Sequence, residues 1–247
     1  MYQFFVDSSQ INDKTAYIDG TDVNHIKNVL RMKIGEELNL SNGSDGREYR
    51  CAITSFEEDR INLEVRFVKE DSHELSSRVY LFQGLPKADK MESIIQKNIE
   101  LGVFEIIPVD MKRCVVKLDA KKATSKVQRW KGIAEAAAKQ SKRGVIPNIM
   151  TPMSYKEALK YANENCDICL VPYEMAEDMT YTRTVINAVS PGQSIGIFIG
   201  PEGGFDESEI EAAIERGMKK ITLGKRILRT ETAGMTVMSI LMYMLEQ

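Results

Sequence analysis

Two stretches in the carboxy-terminal part of the chain gather groups able to hold a small ligand and act on it. The first runs Ile195-Gly-Ile-Phe-Ile-Gly-Pro-Glu-Gly-Gly-Phe205, an apolar strand that passes directly into Gly200, Pro201, Glu202, Gly203 and Gly204. In open α/β sheets ligands lie beyond the carboxyl ends of strands, and closely spaced glycines allow a tight turn and a close backbone approach. The run is neither a GxGxxG nor a GxxxxGK pattern, so it gives no support for a dinucleotide or a triphosphate. The second stretch, Leu223-Gly-Lys-Arg-Ile-Leu-Arg-Thr-Glu-Thr-Ala-Gly234, is dense in polar groups: Lys225, Arg226, Arg229, Thr230, Glu231 and Thr232. A helix start with Thr230 as cap and Glu231 on the helix dipole accounts for two of them. It leaves the three cations unexplained.

Other chemistry has less to stand on. The two histidines, His25 and His73, lie outside the α/β part, which argues against a histidine triad or a zinc site there. Cys166-Asp-Ile-Cys169 has CxxC spacing but enters an apolar strand and has no second pair, so a redox or metal role is a minor reading. With 247 residues, four cysteines and 43% hydrophobic residues, the chain makes one or two globular domains, not a disulfide scaffold. No apolar run reaches the ~20 residues of a membrane span, and Met1–Gln10 carries no secretion signal. A cytoplasmic protein is expected. The net charge of −3 hides an asymmetry: Lys112 to Arg143 holds 11 basic residues against only Asp119 and Glu135. That is the footprint of a polyanion binder or, more plainly, a solvated helix face with a basic loop. Gln140 and Arg143, spaced i, i+3 at the end of the helix expected there, fit either reading.

The elements that must position these groups fall into two parts. Residues 1–70 read as β-rich: Tyr2 to Val6, Glu37 to Leu40, a turn at Ser41–Gly46, and alternating apolar residues at Tyr49, Cys51, Ile53 and at Ile61, Leu63, Val65, Phe67. A short helix is expected at His25–Arg31, and a small barrel or sandwich results. Residues 71–77 read as a linker. Strand–helix alternation then predicts a parallel α/β sheet. Strands are expected at Arg78–Leu85, Phe104–Val109, Ile168–Val171, Ile195–Ile199 and Ile221–Leu223. Helices are expected from a capping box at Asp89 and Glu92 to Gly102, at Lys126–Arg143, Tyr155–Asn163 and Glu207–Arg216, the last with Asp206 as cap and Glu209 three residues on, and from Glu231 to the end. Met235, Met238, Met242 and Met244 read as core or subunit packing.

Three separated segments together resemble the RsmE family. They are Lys87-Ala-Asp-Lys-Met-Glu-Ser-Ile-Ile-Gln-Lys97 with Glu100-Leu-Gly102, then Gly200-Pro-Glu-Gly-Gly-Phe205, then Leu223-Gly with Ile227-Leu-Arg-Thr-Glu-Thr-Ala233. Trp130, Glu135, Gln140, Arg143 and Pro147 fit the same pattern, and His25, Val29-Leu-Arg31 and Gly35 resemble that family's PUA-like barrel. The family departs from this chain at Gln3, where arginine is common, and at Cys114, where serine is common. The resemblance implies a SPOUT-class methyltransferase that modifies uridine N3 in 16S ribosomal RNA with S-adenosylmethionine. It implies a PUA-like β-barrel over 1–71, a SPOUT domain over 72–247 with a mostly parallel sheet and a deep carboxy-terminal trefoil knot, and a homodimer. Its expected partner is 16S rRNA or the small ribosomal subunit, with no membrane and no metal.

The same resemblance assigns the donor to the knot loops: Val171, Pro172, Ile199, Gly200, Pro201, Glu202, Gly203, Leu223, Gly224, Ile227, Leu228, Thr232 and Ala233. Arg229 is expected to stabilise charge on the uracil oxygens, and Glu231 or Glu202 to accept the N3 proton. Arg31, Lys33, Arg113, Lys122, Lys126 and Arg143 are expected to hold RNA. N3 lies on the Watson–Crick edge, so the target base must be unpaired or flipped. The rival readings are another RNA base or ribose 2′-O as target, and a non-catalytic assembly factor.

Overall fold

The computed structural model describes residues 1–70 and 73–246. The boundary expected at 71/72, and with it the start of the expected linker, lies outside the described residues. The chain divides into two compact units, Met1–Glu74 with Ala138–Ile146, and Leu75–Ala137 with Pro147–Gln247.

In the first unit, β1 (Gln3–Phe5), β2 (Thr15–Asp19), α1 (Thr21–Asn24), β3 (Glu37–Ser41), β4 (Glu48–Phe56) and β5 (Arg60–Lys69) follow in order. The strands form a curled five-stranded sheet, β1-β3-β4-β5-β2, antiparallel except where β1 joins β3. Period-2 alternation puts Leu38, Leu40, Ile61 and Leu63 in one core with Ile18, Ile26 and Ile53. The alternation read through Phe67 breaks at Arg66. There the β4–β5 register shifts between Arg50 and Cys51, and one extra residue turns Phe67 out to solvent. β2 is not among the expected strands, because Ala16 and Ile18 are too few to announce one; pairing with β5 makes it a strand. α1 runs directly into a π-helical stretch, His25–Val29, and Arg31 with φ +54° closes it. In the expected turn, Asn42 Oδ1 accepts from the N–H groups of Ser44 and Asp45.

The chain returns to this unit at Ala138–Ile146. A Cβ on Gly144 would lie 2.6 Å from the Gly46 carbonyl oxygen, so only glycine allows that approach. Gln3 Nε2 donates to the Arg143 carbonyl at 2.8 Å, which gives that departure from the family pattern a structural use.

The second unit follows as β6 (Arg78–Gly84), α2 (Lys90–Glu100), β7 (Glu105–Asp110), α3 (Ala120–Ser141), β8 (Asn148–Ile149), β9 (Met153–Ser154), α4 (Tyr155–Asn165), β10 (Ile168–Pro172), α5 (Met179–Asn187), β11 (Ser194–Ile199), α6 (Glu207–Ile214), β12 (Lys219–Ile221) and α7 (Thr230–Leu245). Its sheet, β12-β10-β11-β6-β7-β8 with β9 on the end of β7, is parallel at every pairing. Near-continuous apolar strands suit a sheet covered on both faces. Phe82 and Phe198 pair in register and stack at 4.2 Å between fully buried rings. α7 packs on α2, where Gly234 lies against Asn98 and Leu81.

Several boundaries differ from expectation for local reasons. α3 begins six residues before the expected Lys126, because Asp119 Oδ1 accepts from the Lys122 N–H at 2.8 Å and starts the helix there. It ends at Ser141, since Lys142 is left-handed at φ +60°, and Arg143 therefore lies past the helix. Asp89 precedes α2 but makes no cap bond, and Glu92 pairs with Arg129 instead, so no capping box forms. α6 does carry the box of Asp206 and Glu209. α5 is an addition to the expected helices; its threonines are poor helix formers, and the Asp178 cap starts it. β12 ends at Ile221, which leaves Leu223 in the following loop.

Candidate active site

The cleft of the second unit opens where β10, β11 and β12 end, and has a volume of about 370 Å³. That is within the range of small-molecule sites, ~300–1,000 Å³. Three loops form it. From the end of β10 come Pro172, Tyr173 and Glu174; after β11, Gly200 to Phe205; after β12, Thr222 to Arg229, running into α7.

The β11 loop is held in place from several sides. Gly204 N–H closes a turn on the Pro201 carbonyl at 2.9 Å, with Gly204 at φ +69°. Pro201 presses on the end of β6, where a Cβ on Gly84 would come within 2.7 Å of it. Arg113 Nη1 donates to the Gly203 carbonyl at 3.1 Å, and the Lys112 N–H donates to Glu209 Oε1 at 2.8 Å. Thr230 ties the loops together. Its hydroxyl donates to the Gly200 carbonyl at 2.7 Å and accepts from Gln83 Nε2 at 2.8 Å. Thr230 is therefore not the cap of α7: Arg229 occupies the cap position without a side-chain cap bond.

Most of the residues expected to hold a donor line this cleft: Pro172, Ile199, Gly200, Pro201, Glu202, Leu223, Gly224, Ile227, Leu228 and Ala233. Val171, Gly203 and Thr232 do not. Val171 is buried within β10. Gly203 faces Arg113, whose Cβ would stand 3.0 Å from a Cβ added there, so its glycine serves loop packing. Of the three groups expected to act on the base, Arg229 and Glu202 line the cleft and Glu231 does not.

Lys90 is absent from the expected site residues, although it lies within the Lys87–Lys97 segment. Its Nζ stands 3.0 Å from Glu202 Oε1 and 3.6 Å from Glu231 Oε2. Burial pushes the Glu202 carboxyl up, but bonds from Lys90, its own N–H and the Lys87 N–H outweigh it, and the net effect is a lowered pKa. The Glu202 hydrogen bond raises Lys90 in return. Both groups are ionised at neutral pH. The only signal in the sequence is a helix start beside a glycine loop, which does not say what a lysine there will reach.

The residues expected to touch RNA behave differently. Arg31 and Lys33 are exposed in the first unit, and Lys122 is exposed on α3. Lys126 is half-buried. Arg113, partly exposed, splits its donors between the Gly203 carbonyl and Asp206. Arg143 differs from the others: it is buried, and its guanidinium grips the Glu74 carboxylate, which leaves it little surface to offer RNA. Cys166 and Cys169 sit above Gly196, near the start of β11 and away from the cleft. Among the described residues no cluster of three or more His, Cys, Asp or Glu could hold a metal, and no helix is long and apolar enough to cross a membrane.

Comparison with known proteins agrees with this layout. The model of the RNA methyltransferase domain matches residues 73–242, and that of the RNA methyltransferase PUA domain matches 18–66. The ribosomal RNA small subunit methyltransferase E of Bacillus subtilis is 37% identical, covering all of this chain and 98% of its own. That of Mesomycoplasma hyopneumoniae is 35% identical over 97% of this chain and 98% of its own. The crystal structure of the Neisseria gonorrhoeae enzyme bound to S-adenosylmethionine superposes with a TM-score of 0.85 at 29% identity, covering 99% of this chain and 98% of that one. The chain belongs to the ribosomal RNA small subunit methyltransferase E (RsmE) family of RNA methyltransferases.

Proposed function

We propose that this protein methylates N3 of a uridine in 16S ribosomal RNA, with S-adenosylmethionine as donor, in the cytoplasm and as a homodimer. The carrying observation is the cleft. Its glycines keep room for a ligand: Gly224 is at φ +107°, and the nearest atom to a Cβ added there is 4.0 Å away. Pro172, Ile199, Leu223, Leu228 and Ala233 offer apolar surface to a flat purine. Lys225, Arg226 and Arg229 suit a carboxylate, and Glu174 and Glu202 suit an ammonium and a sulfonium. The donor supplies an activated methyl group that carries its own leaving group.

The protein has three tasks. The lining orients the base so that N3 faces the methyl carbon, and alignment of this kind supplies much of a transfer rate. Arg229 stabilises negative charge on the uracil oxygens as N3 loses its proton. Glu202, the carboxylate that lines the cleft, accepts that proton directly or through water. Arg31, Lys33, Arg113, Lys122 and Lys126 hold the RNA backbone, with 1–71 as the RNA-binding barrel. Thr232 and Val171 support the donor loops from behind, and the loop after β12 threads the loop after β11 in the family's trefoil knot. A second copy would cover the apolar groups left open: Ile227 at the cleft mouth, 82% exposed, and Ile240 and Tyr243 on α7.

The test is incubation of the purified protein with 16S RNA or small subunits and labelled donor, followed by nucleoside mass spectrometry. 3-Methyluridine at one position is the expected product. A label on ribose O2′ or on another base would replace the N3 assignment, and the absence of donor binding in calorimetry would leave an assembly factor.

A further inference from the structure

We infer that Lys90 is a positioning residue that holds two carboxylates, Glu202 on the cleft and Glu231 behind it, in the arrangement methyl transfer needs; this rests on the methylation reading above. The cleft is otherwise built from the loops after β10, β11 and β12 and the start of α7, and Lys90 is the one lining residue that α2 contributes. Its ammonium bridges two carboxylates, hydrogen-bonded to Glu202 Oε1 at 3.0 Å and 3.6 Å from Glu231 Oε2.

The approach to α2 is shaped for this contact. Ala88 is held at φ +53°, a left-handed conformation that costs a non-glycine residue energy and collects at functional sites. The turn it makes lets the Lys87 N–H donate to the same Glu202 oxygen at 3.0 Å. Two donors therefore fix Oε1. Glu231 Oε2 is a buried atom with no hydrogen-bond donor, and the Lys90 ammonium is the cation that stands beside it.

The other charged groups on the cleft are Glu174, Lys225, Arg226 and Arg229, and none of them forms an ion pair with Glu202 or Glu231 among the described residues. Remove the Lys90 ammonium and both carboxylates lose the one cation that pairs with them among the described residues. Glu202 then takes up a proton at a higher pH and loses both its orientation and its readiness to accept one. Lys90 itself stays protonated throughout, so it does not act as the base.

The full-length protein and its Lys90→Met and Lys90→Arg variants separate the possibilities, with circular dichroism confirming that each is folded. Lys90→Met is expected to keep donor affinity in calorimetry while kcat drops ~100-fold, the scale of a lost acid–base group. The acidic limb of its kcat/KM profile on 16S RNA should move up by about one pH unit or more. Lys90→Arg should restore most of the rate and return the limb toward its original position. In parallel, NMR of protein carrying 13C-labelled glutamate should show the Glu202 carboxyl titrating about one unit higher in Lys90→Met than in the parent or Lys90→Arg. An unmoved limb, an unmoved Glu202 titration, or a loss confined to donor affinity overturns the assignment. Should the parent protein make no 3-methyluridine, the methylation reading falls on that result alone, and the NMR titration still decides what Lys90 does to the two carboxylates.

Discussion

The cleft and the basic stretch from Lys112 to Arg143 both stand out in the sequence, yet the fold treats them in opposite ways. At the cleft, residues from three loops converge, and most of those expected there line it. Along the basic stretch, the apparent excess of charge is taken up by acids from elsewhere in the chain. Lys112 and Arg113 lie on Asp206, Lys117 on Asp110, Arg129 on Glu92, Lys139 on Asp22 and Arg143 on Glu74. Lys121, Lys126, Lys131 and Lys142 enter no ion pair among the described residues. A motif survives folding when its members sit on adjacent strand ends. A local charge count does not, because its neutralising partners are remote in sequence. Exposed pairs of this kind are worth little, so they can exchange a carboxylate for a phosphate, whereas the buried Arg143 cannot.

The contrast can be broken or sharpened by experiment. Arg143→Met should have the largest effect, by taking a buried guanidinium away from the Glu74 carboxylate. Loss of one member of a buried pair costs about 3–5 kcal/mol, read as a lower denaturation midpoint, while the salt slope of RNA binding for folded protein stays unchanged. A changed slope would return Arg143 to the RNA surface. Arg229→Ala should lower turnover ~100-fold or more, as removal of a charge-stabilising donor does, with donor affinity in calorimetry nearly intact. Gly204→Val places a β-branched residue at φ +69° beside Glu174. Strain of ~1–3 kcal/mol there should weaken donor binding about 10–100-fold, whereas Gly203→Ala, which meets only Arg113, should leave it close to normal.

Smaller effects belong to the surface. Replacing Lys121, Lys126 and Lys131 by glutamine should flatten the salt dependence of RNA binding, the slope falling by about 0.7–0.9 for each phosphate these lysines neutralise. An unchanged slope would make that helix face merely solvated. The smallest effect is a pH dependence at the cap of α6. Bonds from Ser208 and Lys112 hold the Asp206 carboxyl at about 2, below its ordinary 3.8. A carboxyl lowered on folding stabilises fully above the ordinary value, and that contribution is lost as pH falls through about 2. Asp206→Asn should therefore flatten the fall in melting temperature between pH 4 and 2.

Much of the fold was legible, because periodicity is local. The apolar strands of the second unit, the Gly102 terminus of α2 and the Asp206–Glu209 box of α6 each follow from neighbours a few residues apart. What escaped depended on contacts. β2 exists because β5 pairs with it, Phe67 is exposed because a bulge shifts the register, and Asp89 fails as a cap because Glu92 turns to Arg129. Thr230 shows the limit most clearly. Its place before a helix suggests a cap, and only the approach of Gln83 and Gly200 reveals a tie between loops.

By itself, the order of residues determined the α/β alternation, the glycine-rich loops and the family, since each rests on spacing within short segments. The tertiary structure alone decided which charges stay available and which carboxylate meets the cleft. Ion pairing acts across a few ångströms of space whatever the distance along the chain, and so Lys90, Glu202 and Glu231 became one group only when the loops came together.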